Sequence, residues 1–375
     1  MKILLTGGST GGHFYPLIAV AESLYDRAND KTILKPDLWY MDSSKYNPRA
    51  LFDNDIKYVQ IPAGKLRRYF SFLNFTDLFK TGTGVILALI NMWKIYPDVV
   101  FGKGGYSSFP ALFAARILGI PVVIHESDSR PGKVNAWAGK FAQRIAVSYP
   151  SAAEFFDSSK VAYTGNPIRR EIKNPMTDKA LEQLGLDPNI PTIFILGGSQ
   201  GAKTINEVVL DSLPVLLEKY QVIHQTGRAN FAEVTRTAGV ILTGHPHTAR
   251  YKPIDYLNDL TMRLSAGGCE LVVSRAGSTI FEIAAWGKPS IIIPISEQIS
   301  HDQTKNAFAY ARHGACKVIE EHNLTTHVFV SEINALLENK VLRNELAAKA
   351  HSFARLDSSE KIADVLIEIA LQHEK

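Results

Sequence analysis

Short apolar runs, β-branched and leucine-rich, alternate along the chain with longer helix-like stretches. In the first half the runs predict strands over 2–6, 37–42, 57–61, 98–101, 121–124, 144–147 and 161–163. Helices are expected between them over 16–28, 84–95, 109–118 and 133–140. Pro97 and Pro121 each stand before a β-rich run, where a helix should have stopped. The second half repeats the pattern, with strands near 192–196, 221–224, 270–273, 290–293 and 316–319. Its helices are expected near 202–219, 279–286, 302–312 and 325–338. Strand–helix alternation of this kind predicts parallel sheets covered by helices, an α/β class.

Two of the runs end in glycine-rich turns half a chain apart. Ile3-Leu4-Leu5-Thr6 runs into Gly7-Gly8-Ser9-Thr10-Gly11-Gly12-His13, and Ile193-Phe194-Ile195-Leu196 runs into Gly197-Gly198-Ser199-Gln200-Gly201. A glycine turn between strand and helix lets backbone N–H groups and a helix N-terminus approach an anion such as phosphate. Two of them, at the heads of similar halves, predict paired Rossmann-like domains that hold a ligand. Gly165-Asn166-Pro167 reads as the interdomain turn. The domains are therefore expected over 1–164 and 165–342, with the helices of 343–375 returning to the first.

The bulk numbers change this picture little. A chain of 375 residues is comfortable as two domains, and 46% apolar with 21% charged residues is ordinary for a folded protein. The 41 basic and 37 acidic residues leave a formal charge of +4, which does not suggest nucleic-acid binding. Cys269 and Cys316 form neither a metal-like spacing nor a disulfide framework. The chain opens on a strand without a leader, and no apolar run reaches the roughly 18 residues of a membrane span. A cytoplasmic setting is expected.

Several polar groups stand where strands end. His13 follows the first glycine turn; a neutral imidazole there would take a proton from an attacking hydroxyl, or merely cap and pack. Gly102-Lys103-Gly104-Gly105-Tyr106 repeats the strand–turn–helix setting of an anion or sugar site, or is a tight turn that needs positive φ. His125-Glu126-Ser127-Asp128 closes another strand and offers two carboxylates for acid–base work or for capping. Arg169 and Arg170 follow the interdomain turn, where a guanidinium suits a diphosphate and a solvated pair is the plain alternative. Ser274-Arg275-Ala276-Gly277-Ser278-Thr279 leads into a helix carrying Glu282, a position from which a carboxylate grips ribose hydroxyls or simply favours a helix start. Asp302 and Gln303, at the head of a later helix, would bond sugar hydroxyls or cap it. Residues 65–75 interleave basic and aromatic side chains, as suits a surface lying on anionic lipid or a loop whose rings enter the core. The neighbouring run 85–90 is expected as a buried helix.

Taken in order these segments resemble the MurG family over nearly the whole chain. The resemblance rests on Gly-Gly-x-Thr-Gly-Gly-His at 7–13 with Pro16 and Ala19, Pro97-Asp98-Val99-Val100, and the 102–106 turn. It continues through His125-Glu126, Pro131-Gly132, Asn135, Gly165-Asn166-Pro167-Ile168-Arg169 and Gly197-Gly198-Ser199-Gln200-Gly201-Ala202. Ser274-Arg275-Ala276-Gly277, Glu282, Gln303 and Asn306-Ala307 complete it. It implies a GT-B fold, two Rossmann-like domains with parallel sheets facing a central cleft. It also implies inverting transfer of N-acetylglucosamine (GlcNAc) from UDP-GlcNAc to the N-acetylmuramic acid (MurNAc) 4-hydroxyl of lipid I, forming lipid II for peptidoglycan. Arg169 would then hold the diphosphate, Ser199 the phosphate or sugar, Glu282 the ribose and Gln303 the GlcNAc hydroxyls. Thr10, Gly11 and Gly12 would face the sugar and the acceptor diphosphate. His13 is the expected general base, with Glu126 and Asp128 as rivals. Tyr106, Asn135, Gln200, Ile254, Ser278 and Thr279 are further substrate-binding candidates on matching motifs. No acidic pair is placed to carry a metal, so neither metal nor cofactor is expected. The implied partners are UDP-GlcNAc, lipid I, the cytoplasmic membrane surface and other wall-synthesis and division proteins, with peripheral attachment at the cytoplasmic face.

This chain departs from the family pattern at four places. Ser127-Asp128 stand where members often carry Gln-Asn, and the 277–282 segment is one residue shorter. Pro253 precedes Ile254 in place of an aromatic residue, and Asp302 replaces Gln or His. The rival readings are another lipid glycosyltransferase, a UDP-GlcNAc 2-epimerase, a silent UDP-sugar binder, and an NAD-dependent oxidoreductase with Asp42 as its ribose acid.

Overall fold

The computed structural model describes residues 1–8, 10–65, 72–197, 201–295 and 301–372, the side chains of 72–74 and 301–302 excepted. It divides into two compact units. One comprises Met1–Arg169 with Arg355–Lys375, and the other Arg170–Ala354.

The first unit is a seven-stranded parallel sheet. Its strands are β1 (Lys2–Thr6), β2 (Asp37–Asp42), β3 (Ile56–Gln60), β4 (Val99–Gly102), β5 (Val122–Glu126), β6 (Arg144–Val147) and β7 (Val161–Tyr163), in the order β3-β2-β1-β4-β5-β6-β7. Strand side chains alternate between faces, so Ile3 and Leu5 enter one core and Leu4 the other. Helices cover both faces, which is why these strands read as unbroken apolar runs. The first core is closed by Gly11–Asp30 and by the last helix, Ser358–Gln372, where Asp364 pairs with Arg27 and Lys31.

The second unit carries β8 (Thr192–Leu196), β9 (Gln221–Gln225), β10 (Tyr251–Ile254), β11 (Leu271–Ser274), β12 (Ser290–Ile292) and β13 (Lys317–Val318). They are parallel, in the order β10-β9-β8-β11-β12-β13. Both sheets reverse their winding beside the strand that enters a glycine-rich turn, between β1 and β4 and between β8 and β11. In open sheets of this type ligands bind beyond the strand ends at that reversal.

Two expectations are corrected. The first unit runs on to Arg169, and of the two terminal helices only Ser358–Gln372 belongs to it. Lys340–Phe353 stays with the second unit, where its Phe353 ring stacks on Phe281 at 6.0 Å. The helix expected over 84–95 is Phe72–Ile95, and its 85–90 run is not buried. Gly84 and Ala88 lie on its inner side; a side chain on Gly84 would begin 1.9 Å from Pro62 O. Small residues bring the helix close on that side. The large apolar residues Phe75, Phe79, Ile86, Ile90 and Trp93 therefore face outward.

Candidate active site

The site in the first unit is built on two adjacent turns. Thr6 pairs with Gly102 across the β1–β4 ladder, so both strands deliver their glycines side by side. Gly7 has φ 107°, and a side chain there would begin 2.7 Å from Gly104 O. Only glycine allows the two backbones to lie this close. The buried Asp42 fixes the arrangement from below. Its Oδ2 accepts from Gly7 N–H at 3.1 Å and Ser107 Oγ–H at 2.9 Å, and its Oδ1 from Ser43 N–H at 2.7 Å. Burial raises the Asp42 pKa, and these donors offset the rise only in part. With its oxygens committed to the turn, Asp42 is not the ribose acid of a dinucleotide fold.

Thr10 has extended backbone at the N-cap of Gly11–Asp30, and its carbonyl accepts from the N–H groups of His13 and Phe14. Its Oγ1 lies 3.0 Å from His13 Nδ1. When Nδ1–H donates to that hydroxyl, Nε2 is left as a proton acceptor. Burial, then the Lys103 charge, lower the His13 pKa to about 4, so the ring is neutral near pH 7. The 102–106 turn lies against it: a side chain on Gly105 would begin 4.0 Å from His13 Cε1. Gly11, Gly12 and Tyr106 stand on the same two turns.

Glu126 ends β5 but turns into the protein. Its Oε1 accepts from Asp128 N–H at 2.9 Å; its Oε2 accepts from Gly132 N–H at 3.0 Å and Asn135 Nδ2–H at 2.9 Å. Asn135 also donates to His125 O at 3.0 Å. Burial and the Asp128 charge raise the Glu126 pKa. The carboxylate thus folds the 127–135 loop, while Asp128 at the loop's start is partly exposed. Arg169 lies at the end of this unit, its guanidinium 4.0 Å over the Tyr15 ring.

In the second unit the sequence candidates gather around β11 and β12. Ser274 lies opposite Leu196, so the 275–278 turn leaves β11 beside the end of β8; Ser199 and Gln200 lie outside the described residues. Ser278 occupies the N-cap of Thr279–Trp286 without a side-chain capping bond, and Glu282 sits in the first turn of that helix, partly buried. Gln303 Oε1 accepts from Ile295 N–H at 3.2 Å, and Asn306 donates to Ala276 O at 3.3 Å. Ile254 ends β10, where its carbonyl accepts from Thr226 N–H. These bonds bring Gln303 and Asn306 to the two loops. The side chain of Asp302 and most of 65–71 lie outside the described residues.

Three supporting residues were not read from the sequence as site residues. Besides Asp42 these are Lys103, 1% exposed beneath the 102–106 turn, and Arg275. Arg275 donates to the carbonyls of Ile293 and Pro294 and pairs with Glu321 at 2.6 Å. Their signal in the sequence was position, a charged side chain at a strand end, flanked by glycines in the case of Lys103.

Two doubly wound parallel units, each with a glycine-rich turn at its reversal, are the build of a GT-B glycosyltransferase. The glycosyltransferase family 28 N-terminal domain matches residues 3–147 and the family 28 C-terminal domain residues 192–364. A UDP-N-acetylglucosamine–N-acetylmuramyl-(pentapeptide) pyrophosphoryl-undecaprenol N-acetylglucosamine transferase of Treponema denticola is 36% identical over 360 residues, 92% of this chain and 90% of its own length. The enzyme of the same name in Pediococcus pentosaceus is 34% identical over 98% of this chain and 99% of its own. Among solved structures, Acinetobacter baumannii MurG superposes with a TM-score of 0.70 at 24% identity, covering 98% of this chain and 99% of that one. UDP-GlcNAc 2-epimerase from Neisseria meningitidis, bound to UDP-GlcNAc, gives 0.67 at 16% identity, covering 98% and 100%, a likeness of fold alone. The chain belongs to the MurG family of glycosyltransferases.

Proposed function

We infer that this protein transfers GlcNAc from UDP-GlcNAc to lipid I, forming lipid II. The observation that carries the reading, beyond family membership, is the neutral His13 held by Thr10 against the 102–106 turn. His13 Nε2 takes the proton of the MurNAc 4-hydroxyl as its oxygen attacks the anomeric carbon of GlcNAc. The bond from that carbon to the diphosphate oxygen breaks, its electron pair leaves with UDP, and configuration inverts. Arg169 stabilises the charge that develops on the diphosphate. Glu282 takes the ribose hydroxyls, Gln303 the GlcNAc hydroxyls and Ile254 the uracil. Thr10, Gly11, Gly12, Tyr106 and Asp128 serve the acceptor side and Ser278 and Thr279 the donor side, while the buried Asn135 acts by holding Glu126. Glu126 acts by shaping the 127–135 loop rather than as the base.

The outward face of Phe72–Ile95 supports peripheral attachment. Phe75, Phe79, Ile86, Ile90 and Trp93 recur at intervals of three, four or seven residues, one helix face, and are 67, 64, 59, 45 and 69% exposed. An apolar helix face of this kind suits the interface of a bilayer, and lipid I is itself anchored in a membrane. Among the described residues no helix is long and apolar enough to span one.

The test is transfer of labelled GlcNAc from UDP-GlcNAc to a lipid I analogue, with and without EDTA. Acceptor-dependent product, unchanged by EDTA, is the expected result. UDP-GlcNAc binding with no product would overturn the acceptor assignment.

A further inference from the structure

The 102–106 turn contains a buried amino group that the transfer as written does not use. Lys103 Nζ lies 2.5 Å from His125 Nδ1 and 3.0 Å from Asn166 Oδ1. His125 Nε2–H donates to Gly165 O at 2.9 Å, which leaves Nδ1 as a lone-pair acceptor for the ammonium. Gly165 O also accepts from Ser358 Oγ–H at 2.8 Å. One carbonyl thus joins the segment leading out of the first unit, which ends at Arg169, to the segment that re-enters at Arg355. Gly165 has φ 81°, and a side chain there would begin 2.4 Å from Arg355 Cβ, so the junction admits only glycine.

The surroundings of Lys103 define its charge. His13 faces it from the helix after β1, and His125, Glu126 and Asp128 from the end of β5 and its loop. Asn166 faces it from the outgoing segment, and Asp42 is turned away to Gly7 and Ser107. Burial is the largest influence and lowers the Lys103 pKa to about 7 against the opposing pull of Glu126 and Asp128, so the group is charged at the acid pH where His13 titrates and partly charged near pH 7. The Lys103 Cβ lies 3.2 Å from where a side chain on Gly7 would begin, so its backbone is wedged between both turns.

We propose that Lys103 is a positioning residue for the transfer reaction: its buried ammonium holds the outgoing segment that ends in Arg169, and it places a positive charge behind His13. The proposal rests on the roles given to His13 and Arg169 above. A cation there disfavours the imidazolium and adds to the effect of burial. It also couples two tasks, since the group that adds to burial in keeping the base neutral is bonded to Asn166, three residues before the guanidinium meant for the diphosphate.

The test uses the full chain with Lys103→Met, Lys103→Gln and Asn166→Ala. His13 is titrated by NMR in carbon-13 histidine-labelled protein, with His13→Gln assigning its resonance, and UDP affinity is measured by calorimetry. The wild-type midpoint is expected near pH 4. In both Lys103 variants it should rise by about one pH unit, and the acid limb of kcat should move with it. It should stay below 6.5, because burial is the larger cause and remains. Asn166→Ala keeps the charge, so the midpoint should not move while UDP affinity falls several-fold. Lys103→Gln retains an amide donor for His125 and guards against loss of fold in the Met variant. An unshifted His13 midpoint in folded Lys103→Gln, or wild-type UDP affinity in Asn166→Ala, overturns the proposal. A shifted midpoint together with full turnover in His13→Gln would instead refute the general-base reading and leave the Lys103 charge where we place it.

Discussion

Glu126 offers the sharpest separation of a structural carboxylate from a catalytic one. Its two oxygens accept three bonds, from Asp128 N–H, Gly132 N–H and Asn135 Nδ2–H. Glu126→Ala would leave these donors without their acceptor in a site where Glu126 is 3% and Asn135 2% exposed. The Asn135 donor is buried and its stranding costs about 1–3 kcal/mol, while the part-buried Asp128 and Gly132 N–H groups can turn to water and cost less, so roughly 2–4 kcal/mol is expected. That is a large part of the roughly 5–15 kcal/mol that holds a domain together. For a unit of this size it lowers Tm by about 10 °C, at roughly 2–4 °C per kcal/mol. Glu126→Gln is the informative variant. With its carbonyl placed where Oε2 stands, it still accepts from Gly132 and Asn135, and its NH2 opposes only the Asp128 N–H. The loss should be about 1–2 kcal/mol, seen as a Tm lower by a few degrees. Because burial and Asp128 already push this carboxyl toward its neutral form, the amide is also a fair electrostatic stand-in. Turnover of Glu126→Gln should remain within about tenfold of wild type, whereas loss of a general base costs about 10²- to 10⁴-fold. The assays are thermal unfolding and GlcNAc transfer on the same preparations. A Glu126→Gln protein with wild-type Tm and turnover reduced more than a hundredfold would refute the structural assignment.

His13→Ala should lose about 10²- to 10⁴-fold in kcat with UDP-GlcNAc affinity little changed, as calorimetry with transfer assays would read. The folded-state pKa of His13 lies below its unfolded value, so the unfolded chain takes the proton first as pH falls. Wild-type protein should therefore lose more Tm between pH 6.5 and 4 than His13→Gln does; equal losses would contradict a buried neutral ring. Arg275→Met removes the 2.6 Å pair with Glu321 and the bonds to the Ile293 and Pro294 carbonyls, and should cost about 2–3 kcal/mol with a raised KM for UDP-GlcNAc. An unchanged Tm would show that the pair does not hold the 293–295 loop. Phe79→Ser with Trp93→Ser should leave Tm unchanged, since both are exposed, and reduce co-sedimentation with anionic vesicles several-fold. Undiminished vesicle binding would remove this face from the attachment surface.

What the sequence determined was set by local rules. Parallel strands buried on both faces must be short apolar runs, and β1, β4, β8 and β11 were legible as such. The glycines at 7 and 8, 104 and 105 were legible because the chain can turn at positive φ only where no side chain intervenes. His13 stood out because it follows such a turn directly. Tertiary structure decided which of the polar groups at strand ends are bonded into the protein itself. Asp42 and Glu126 end strands in the same way, and only their bonding partners distinguish an acid holding a glycine turn from one holding a loop. The outward apolar face of Phe72–Ile95 was hidden for a related reason. An apolar run does not tell which side lies against the sheet; Gly84 and Ala88, by permitting close approach, settle it once the partner surface is in place. Lys103 shows the limit most clearly. As a residue between glycines it reads as part of an anion-binding turn, and folding instead buries it against His125 and Asn166, sixty-three residues along the chain for the latter. Long-range polar pairing of this kind leaves no periodic trace, because it depends on two loops meeting rather than on the pattern of either one.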